Sequence, residues 1–247
     1  MANPLLNQNV WQRADRLPQV STGEVMSVEG AINKSALLLL LVVGAATWVW
    51  TRFFQSNDPA VVMPYLWTGL IAGFVAAIAT AFRPDWARLT APAYALLEGL
   101  ALGAISALYE SRLHGIVFQA VGLTFGVLAV MLMLYRSGVI KVTDRFRMIV
   151  FAATGGIALF YFVSIILSFF HVAIPFLTGG GTFSIVFSLV VVGIAAMNLA
   201  LDFDFIARGV EHGAPKFMEW YAAFGLMVTL VWLYLEMLRL LSKVNRR

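Results

Sequence analysis

Residues 183–206 read FSIVFSLVVVGIAAMNLALDFDFI. From Phe183 to Leu201 there is no Asp, Glu, Lys or Arg, and then two aspartates follow in quick succession, Asp202 and Asp204. At 1.5 Å per residue, a helical run of about 20 residues is about 30 Å long, the thickness of the hydrocarbon core of a bilayer. Strand-like alternation is absent. Backbone groups left unpaired in lipid are too costly for an open strand or loop, so the run reads as a membrane-spanning helix with carboxylates at one end.

Six further runs of the same kind lie around it. The seven together cover about 36–54, 62–82, 90–109, 115–135, 147–170, 183–206 and 217–241. Polar breaks separate them: SNDP (56–59), RPDWAR (83–88), ESRLHG (110–115), RSGVIKVTDRFR (136–147), IPFLTGGGT (174–182) and ARGVEHGAPK (207–216). Loops this short force successive helices to run antiparallel. Of the 247 residues 61% are hydrophobic and 12% charged, against about 25% charged in a soluble domain. A soluble chain this apolar could not cover its own surface. The expected fold is an all-α membrane protein, a seven-transmembrane-helix bundle over 36–241. A mostly disordered cytoplasmic segment (1–35) is expected before it and a short basic tail (242–247) after it. Within 1–35, Val25, Val28 and Ile32 suggest an interfacial turn. No signal peptide is visible, because the first apolar run starts far from Met1, so the first helix is an uncleaved anchor. No internal repeat stands out.

Lys and Arg set the orientation. With the N-terminus in the cytoplasm, the inner side holds Arg13, Arg16, Lys34, Arg83, Arg88, Arg136, Lys141, Arg145, Arg147, Arg208 and Lys216. The outer loops hold Arg52 and Arg112. This bias favours a cytoplasmic N-terminus. The tail disagrees, since Arg239, Lys243, Arg246 and Arg247 then fall outside. Either the tail tolerates that side or the last segment re-enters. Seven full spans is the reading taken.

Several chemistries are excluded. The chain has no cysteine, which removes disulfides, thiolate catalysis and thiolate metal sites. Its three histidines, His114, His171 and His212, lie in loops or at helix ends. Neither an intramembrane HExxH protease nor a buried Ser–His dyad fits. The last helix has Lys216 and Lys243 at its ends and no lysine in the middle, so a retinal Schiff base does not fit either. No enzyme activity and no cofactor are expected. The net charge of +4 is spread over short loops and is no sign of nucleic-acid binding. The Gly179–Gly181 run reads as an ordinary outer loop and not a phosphate cradle, because no lysine follows it as a P-loop requires.

Ionisable residues inside a membrane span are costly and mark functional sites. Here they are Glu98, Asp202, Asp204, Glu219 and Glu236, and no mid-depth basic residue accompanies them. Glu98 lies about 12 Å and Asp202 about 6 Å from the cytoplasmic ends of their helices. Asn198 is one turn from Asp202 on the same face. Asp204 is rotated by about 200° from Asp202, so Asp202 is the one expected to face inward. Asp204 and Glu219 sit near the boundary, where they can snorkel to water. Glu236 lies near the opposite face and can pair with Arg239. Arg83 closes the second helix. It reads equally as a positive-inside anchor or as a cation reaching towards Asp202. Gly69 with Gly73, and Gly99 with Gly103, are GxxxG pairs for close helix packing. Trp67, Trp220 and Trp232 read as interfacial or packing residues.

At this point the chain resembles the Bax inhibitor-1 family of transmembrane Bax inhibitor motif proteins, in its bacterial YccA-type branch. YALLEGLALG (94–103) is similar to the family's acidic-Gly stretch, NLALDFDFI (198–206) to its sixth-helix Asp, and LVWLYLEMLRLL (230–241) to its last helix. An RxxxGxx pattern between the fourth and fifth helices adds weaker support. The resemblance covers about 36–241. It implies a bundle with the last helix at its centre, and a pH-sensitive calcium leak governed by an acidic pair on the sixth and seventh helices, with an Arg at the end of the second helix as latch. Asp202 matches the sixth-helix acid and Arg83 the latch. One departure stands out. Aligned by its end, the last helix places Thr229 where the family has its second Asp, and LYLE (233–236) falls seven residues later. Glu98 is then the candidate second carboxylate.

The expected function is thus a pH-sensitive calcium leak channel or transporter gated by buried carboxylates. Asp202, Glu98, Asn198 and Thr229 would act as the sensing set, Arg83 as the latch, and Asp202 with Glu98 as calcium ligands. Asp204, Glu219 and Glu236 rank lower. Two other classes stay open: a non-transporting membrane regulator that binds a membrane partner such as a protease or stress factor, and a proton-coupled cation exchanger. The expected location is the bacterial inner membrane.

Overall fold

A computed structural model describes residues 25–170 and 181–245. Seven long helices follow in order: α1 (Val28–Ser56), α2 (Pro59–Phe82), α3 (Ala87–Glu110), α4 (Ile116–Arg136), α5 (Asp144–Phe169), α6 (Thr182–Glu211) and α7 (Met218–Val244), with a short 3-10 turn at Pro84–Trp86. Each is long and apolar enough to cross a membrane. Large apolar side chains such as Leu40, Phe118 and Ile149 stand exposed on them, as lipid-facing residues must. On α7, by contrast, no residue from Met218 to Lys243 is exposed.

Local chemistry sets the helix ends. Ser27 caps α1 by accepting from the Gly30 amide at 3.0 Å. Asn57 stops α1 in a left-handed conformation, and Asp58 then caps α2 through the Ala60 amide at 2.8 Å, with Pro59 at the first helical position. Thr143 caps α5. These are the side chains that satisfy orphaned first-turn amides.

The chain divides into two compact units. One comprises Asn3–His114 and Asp204–Val228, the other Gly115–Phe203 and Thr229–Arg247. In the first unit α3 packs on both α1 and α2. The GxxxG positions explain how closely. A methyl group on Gly103 would sit 2.5 Å from the Ala46 carbonyl oxygen of α1, and one on Gly69 would sit 2.5 Å from the Leu97 carbonyl oxygen of α3. Backbone lies against backbone at these points.

The start of the first unit departs from the sequence reading. The boundary expected at residue 35 falls inside α1, which begins at Val28. Residues 1–24 lie outside the described residues. Val25 bridges Pro215, the Met26 amide donates to the Ala214 carbonyl at 2.7 Å, and the Met26 side chain is buried among Ala31, Ala87, Phe205, Met218 and Tyr221. Glu219, expected to snorkel to water, is instead 0% exposed. The Ser27 amide and hydroxyl donate to it at 2.9 and 3.0 Å, Lys34 pairs with it, and Lys216 lies 3.4 Å away. The Lys34 ammonium also stands over the Trp220 ring. A side chain on Gly30 would overlap the Glu219 carboxylate. Hydrophobic periodicity could not reveal this clamp, because its contacts join residues nearly two hundred positions apart.

Candidate functional site

The second unit carries a polar seam on α6 and α7. The buried face of α6 includes Ser184, Ser188, Val191, Ala195, Asn198 and Asp202, spaced three or four residues apart as one helical stripe requires. On α7 the buried polar residues Thr229, Glu236 and Lys243 recur at seven-residue intervals, again one face. The stripes run antiparallel. Asp202 accepts a hydrogen bond from Thr229. Fourteen residues back along α6 and fourteen forward along α7, Lys243 donates to Ser188 Oγ at 2.8 Å. Fourteen residues of helix span about 21 Å, so these two contacts fix one register across much of the hydrocarbon core.

Asp202 is 2% exposed, and among the described residues its Oδ2 has no hydrogen-bond partner. Asn198, one turn away, donates through Nδ2 to Thr154 Oγ1 on α5 at 2.8 Å and to the Ile194 carbonyl at 2.9 Å. This end of the unit therefore holds four side chains with oxygen acceptors: Asp202, Asn198, Thr229 and Thr154. Further along α7, Glu236 Oε1 accepts from Tyr161 of α5 at 3.0 Å and from Arg239 at 2.6 Å. Arg239 also donates to the Tyr161 hydroxyl at 2.5 Å and lies over its ring. Glu236 Oε2 is buried without a partner.

The other residues singled out from sequence belong to the first unit. Glu98 is half-buried, hydrogen-bonded to Tyr94 one turn back on α3, and faces Gly73 of α2, where an added methyl would stand 3.4 Å from its Oε2. Arg83 is exposed, its guanidinium over the Trp86 ring at 5.4 Å. Asp204 pairs with Arg208 one turn on, at 3.0 Å. Glu219 is held by the clamp already described. Among the described residues no three His, Asp or Glu side chains cluster as a bound metal would need.

Sequence reasoning named Asp202, Asn198 and Thr229, but not Thr154, Tyr161, Ser184, Ser188 or Lys243 as their companions. The seven-residue spacing of Thr229, Glu236 and Lys243 was the available signal for α7. The α5 contributors had none, because a lone Thr or Tyr in an apolar helix is commonplace.

Seven apolar helices and a buried polar seam define a multi-pass α-helical integral membrane protein. A model of the Bax inhibitor 1 like family matches residues 3–246, and the chain belongs to that family. No curated protein matches it, and no solved structure matches it.

Proposed function

We propose that this protein is a pH-sensitive cation leak of the Bax inhibitor-1 type, with calcium as the ion and Asp202 as its proton-sensing group. The observation that carries this reading is the Asp202 carboxylate. It is buried in a membrane-spanning helix, bonded to Thr229 through a side-chain hydrogen bond, with one oxygen left unpartnered. An ionisable group is seldom kept at such a position without a task. Family membership supports the same reading.

The chemistry follows from the two states of the carboxyl group. Ionised, Asp202 is an acceptor alone and holds the Thr229 hydroxyl in a charge-assisted hydrogen bond. Protonated, it loses its charge, and the contact falls to a neutral hydrogen bond of roughly half the strength. Acidification thereby loosens the tie between α6 and α7 and favours the open arrangement. The oxygens of Asp202, Asn198, Thr229 and Thr154 offer a calcium ion the hard ligands it prefers. The bias of Lys and Arg supports putting the N-terminus, and with it this end of the seam, at the cytoplasmic face.

The test is calcium flux through purified protein in liposomes, measured from pH 8 to pH 6 with and without a proton gradient. A leak gives flux that rises on acidification at zero proton gradient. Flux that requires the gradient identifies a proton-coupled exchanger. Absence of flux at every pH identifies a membrane regulator that acts through a protein partner.

A further inference from the structure

At the far end of the seam from Asp202, a buried ammonium stands among neutral hydroxyls and a carbonyl. Lys243 is 4% exposed. Its ammonium has three donors, of which one goes to Ser188 Oγ at 2.8 Å and a second to the Ser184 carbonyl at 3.3 Å. Among the described residues the third has no acceptor, and no carboxylate forms an ion pair with this lysine. The nearest acid on α7, Glu236, is two turns back, about 10 Å along the axis, and is bonded to Arg239 and Tyr161. In the same place the Ser184 hydroxyl, on a residue 2% exposed, has no partner among the described residues.

A buried ammonium with no carboxylate paired to it among the described residues is a charge without a counter-charge. Opposite a positive charge in a low-dielectric setting, the acceptor that restores the balance is an anion. The setting favours one in a further way. Ser184 stands in the first turn of α6, a helix of 30 residues, where the helix dipole presents its positive end. Access is short: Thr182, Phe183 and Val244, beside or near these residues at the two helix ends, are exposed.

We propose that Lys243, Ser184 and the first turn of α6 form a binding site for a phosphate-class anion, supplied either by the headgroup of an anionic phospholipid or by free phosphate. It lies apart from Asp202 and does not depend on the leak reading. The lysine provides the charge and one N–H, and the Ser184 hydroxyl turns to donate to a phosphate oxygen.

The experiment uses full-length protein in neutral detergent and follows the thermal unfolding midpoint. One arm titrates inorganic phosphate against chloride at matched ionic strength, and the other adds phosphatidylglycerol against phosphatidylcholine. The wild type shows a saturable rise in midpoint in at least one arm. A response to phosphatidylglycerol alone assigns the lipid headgroup, and a response to phosphate assigns the free anion. Lys243→Met abolishes the rise, Lys243→Arg retains it, and Ser184→Ala shifts half-saturation about tenfold upward, the loss of one charge-assisted hydrogen bond. If Lys243→Met does not fold, the Arg and Ala variants decide. No rise in either arm, or an equal rise in wild type and Lys243→Met, or in wild type and Ser184→Ala where Met fails, overturns the site.

Discussion

Thr229 of α7 holds the carboxylate of Asp202 on α6 through a side-chain hydrogen bond, and a residue of either kind loses its purpose without the other. Thr229→Val keeps the shape and removes the donor. The Asp202 carboxylate is then left buried with no side-chain hydrogen bond from α7. Such an unsatisfied charged group costs about 1–3 kcal/mol or more. The variant is expected to unfold at lower temperature than wild type, with Asp202→Asn/Thr229→Val recovering part of the loss, because the amide is neutral. A double-mutant cycle on thermal midpoints measures the coupling.

The clamp around Glu219 makes a second prediction. Glu219→Ala removes the partner of Lys34 and the acceptor for the Ser27 amide and hydroxyl. Breaking one side of a buried ion pair costs about 3–5 kcal/mol. Gly30→Ala is expected to be damaging by a different route, since its methyl overlaps the same carboxylate. Because the chain has no cysteine, Val25→Cys with Pro215→Cys gives a direct readout of the clamp. The two are expected to cross-link readily in wild-type background and far more slowly once Glu219 is replaced.

Tyr161 sits between Glu236 and Arg239, donating to the first and accepting from the second. Tyr161→Phe leaves the Glu236–Arg239 pair in place at 2.6 Å but strips both of a partner. The expected loss is about 1 kcal/mol of stability. Replacement of Glu236 by Gln is expected to cost more, since it also leaves the Arg239 guanidinium without a counter-charge. Thermal unfolding of both variants in detergent checks the order.

The membrane architecture was legible because the bilayer demands long uninterrupted apolar helices, and each run between the polar breaks became one helix. Their edges were less so. Polar residues such as Glu29 and Lys34 read as the end of a disordered head, yet Lys34 lies within α1 and is drawn into an ion pair with Glu219. The α6 end of the seam was legible for a similar reason, since an Asp in an apolar helix is conspicuous and Asn198 lies one turn away on its face. Thr229 entered through its place opposite the family's acid. Thr154, Tyr161, Ser184 and Ser188 carry no such mark, because hydroxyls are ordinary in membrane helices and their role comes from the neighbour that the fold supplies. Lys243 was read as a tail charge, and its burial against α6 depends on a register that no single helix encodes.

In the proposed leak, Asp202 is the group whose charge governs the seam. Calcium flux through reconstituted protein should rise as pH falls from 8 to 6 in wild type, while Asp202→Asn, neutral throughout, should carry flux that hardly varies over the same range. An Asn variant whose flux tracks pH as steeply as wild type would show that the proton is sensed elsewhere.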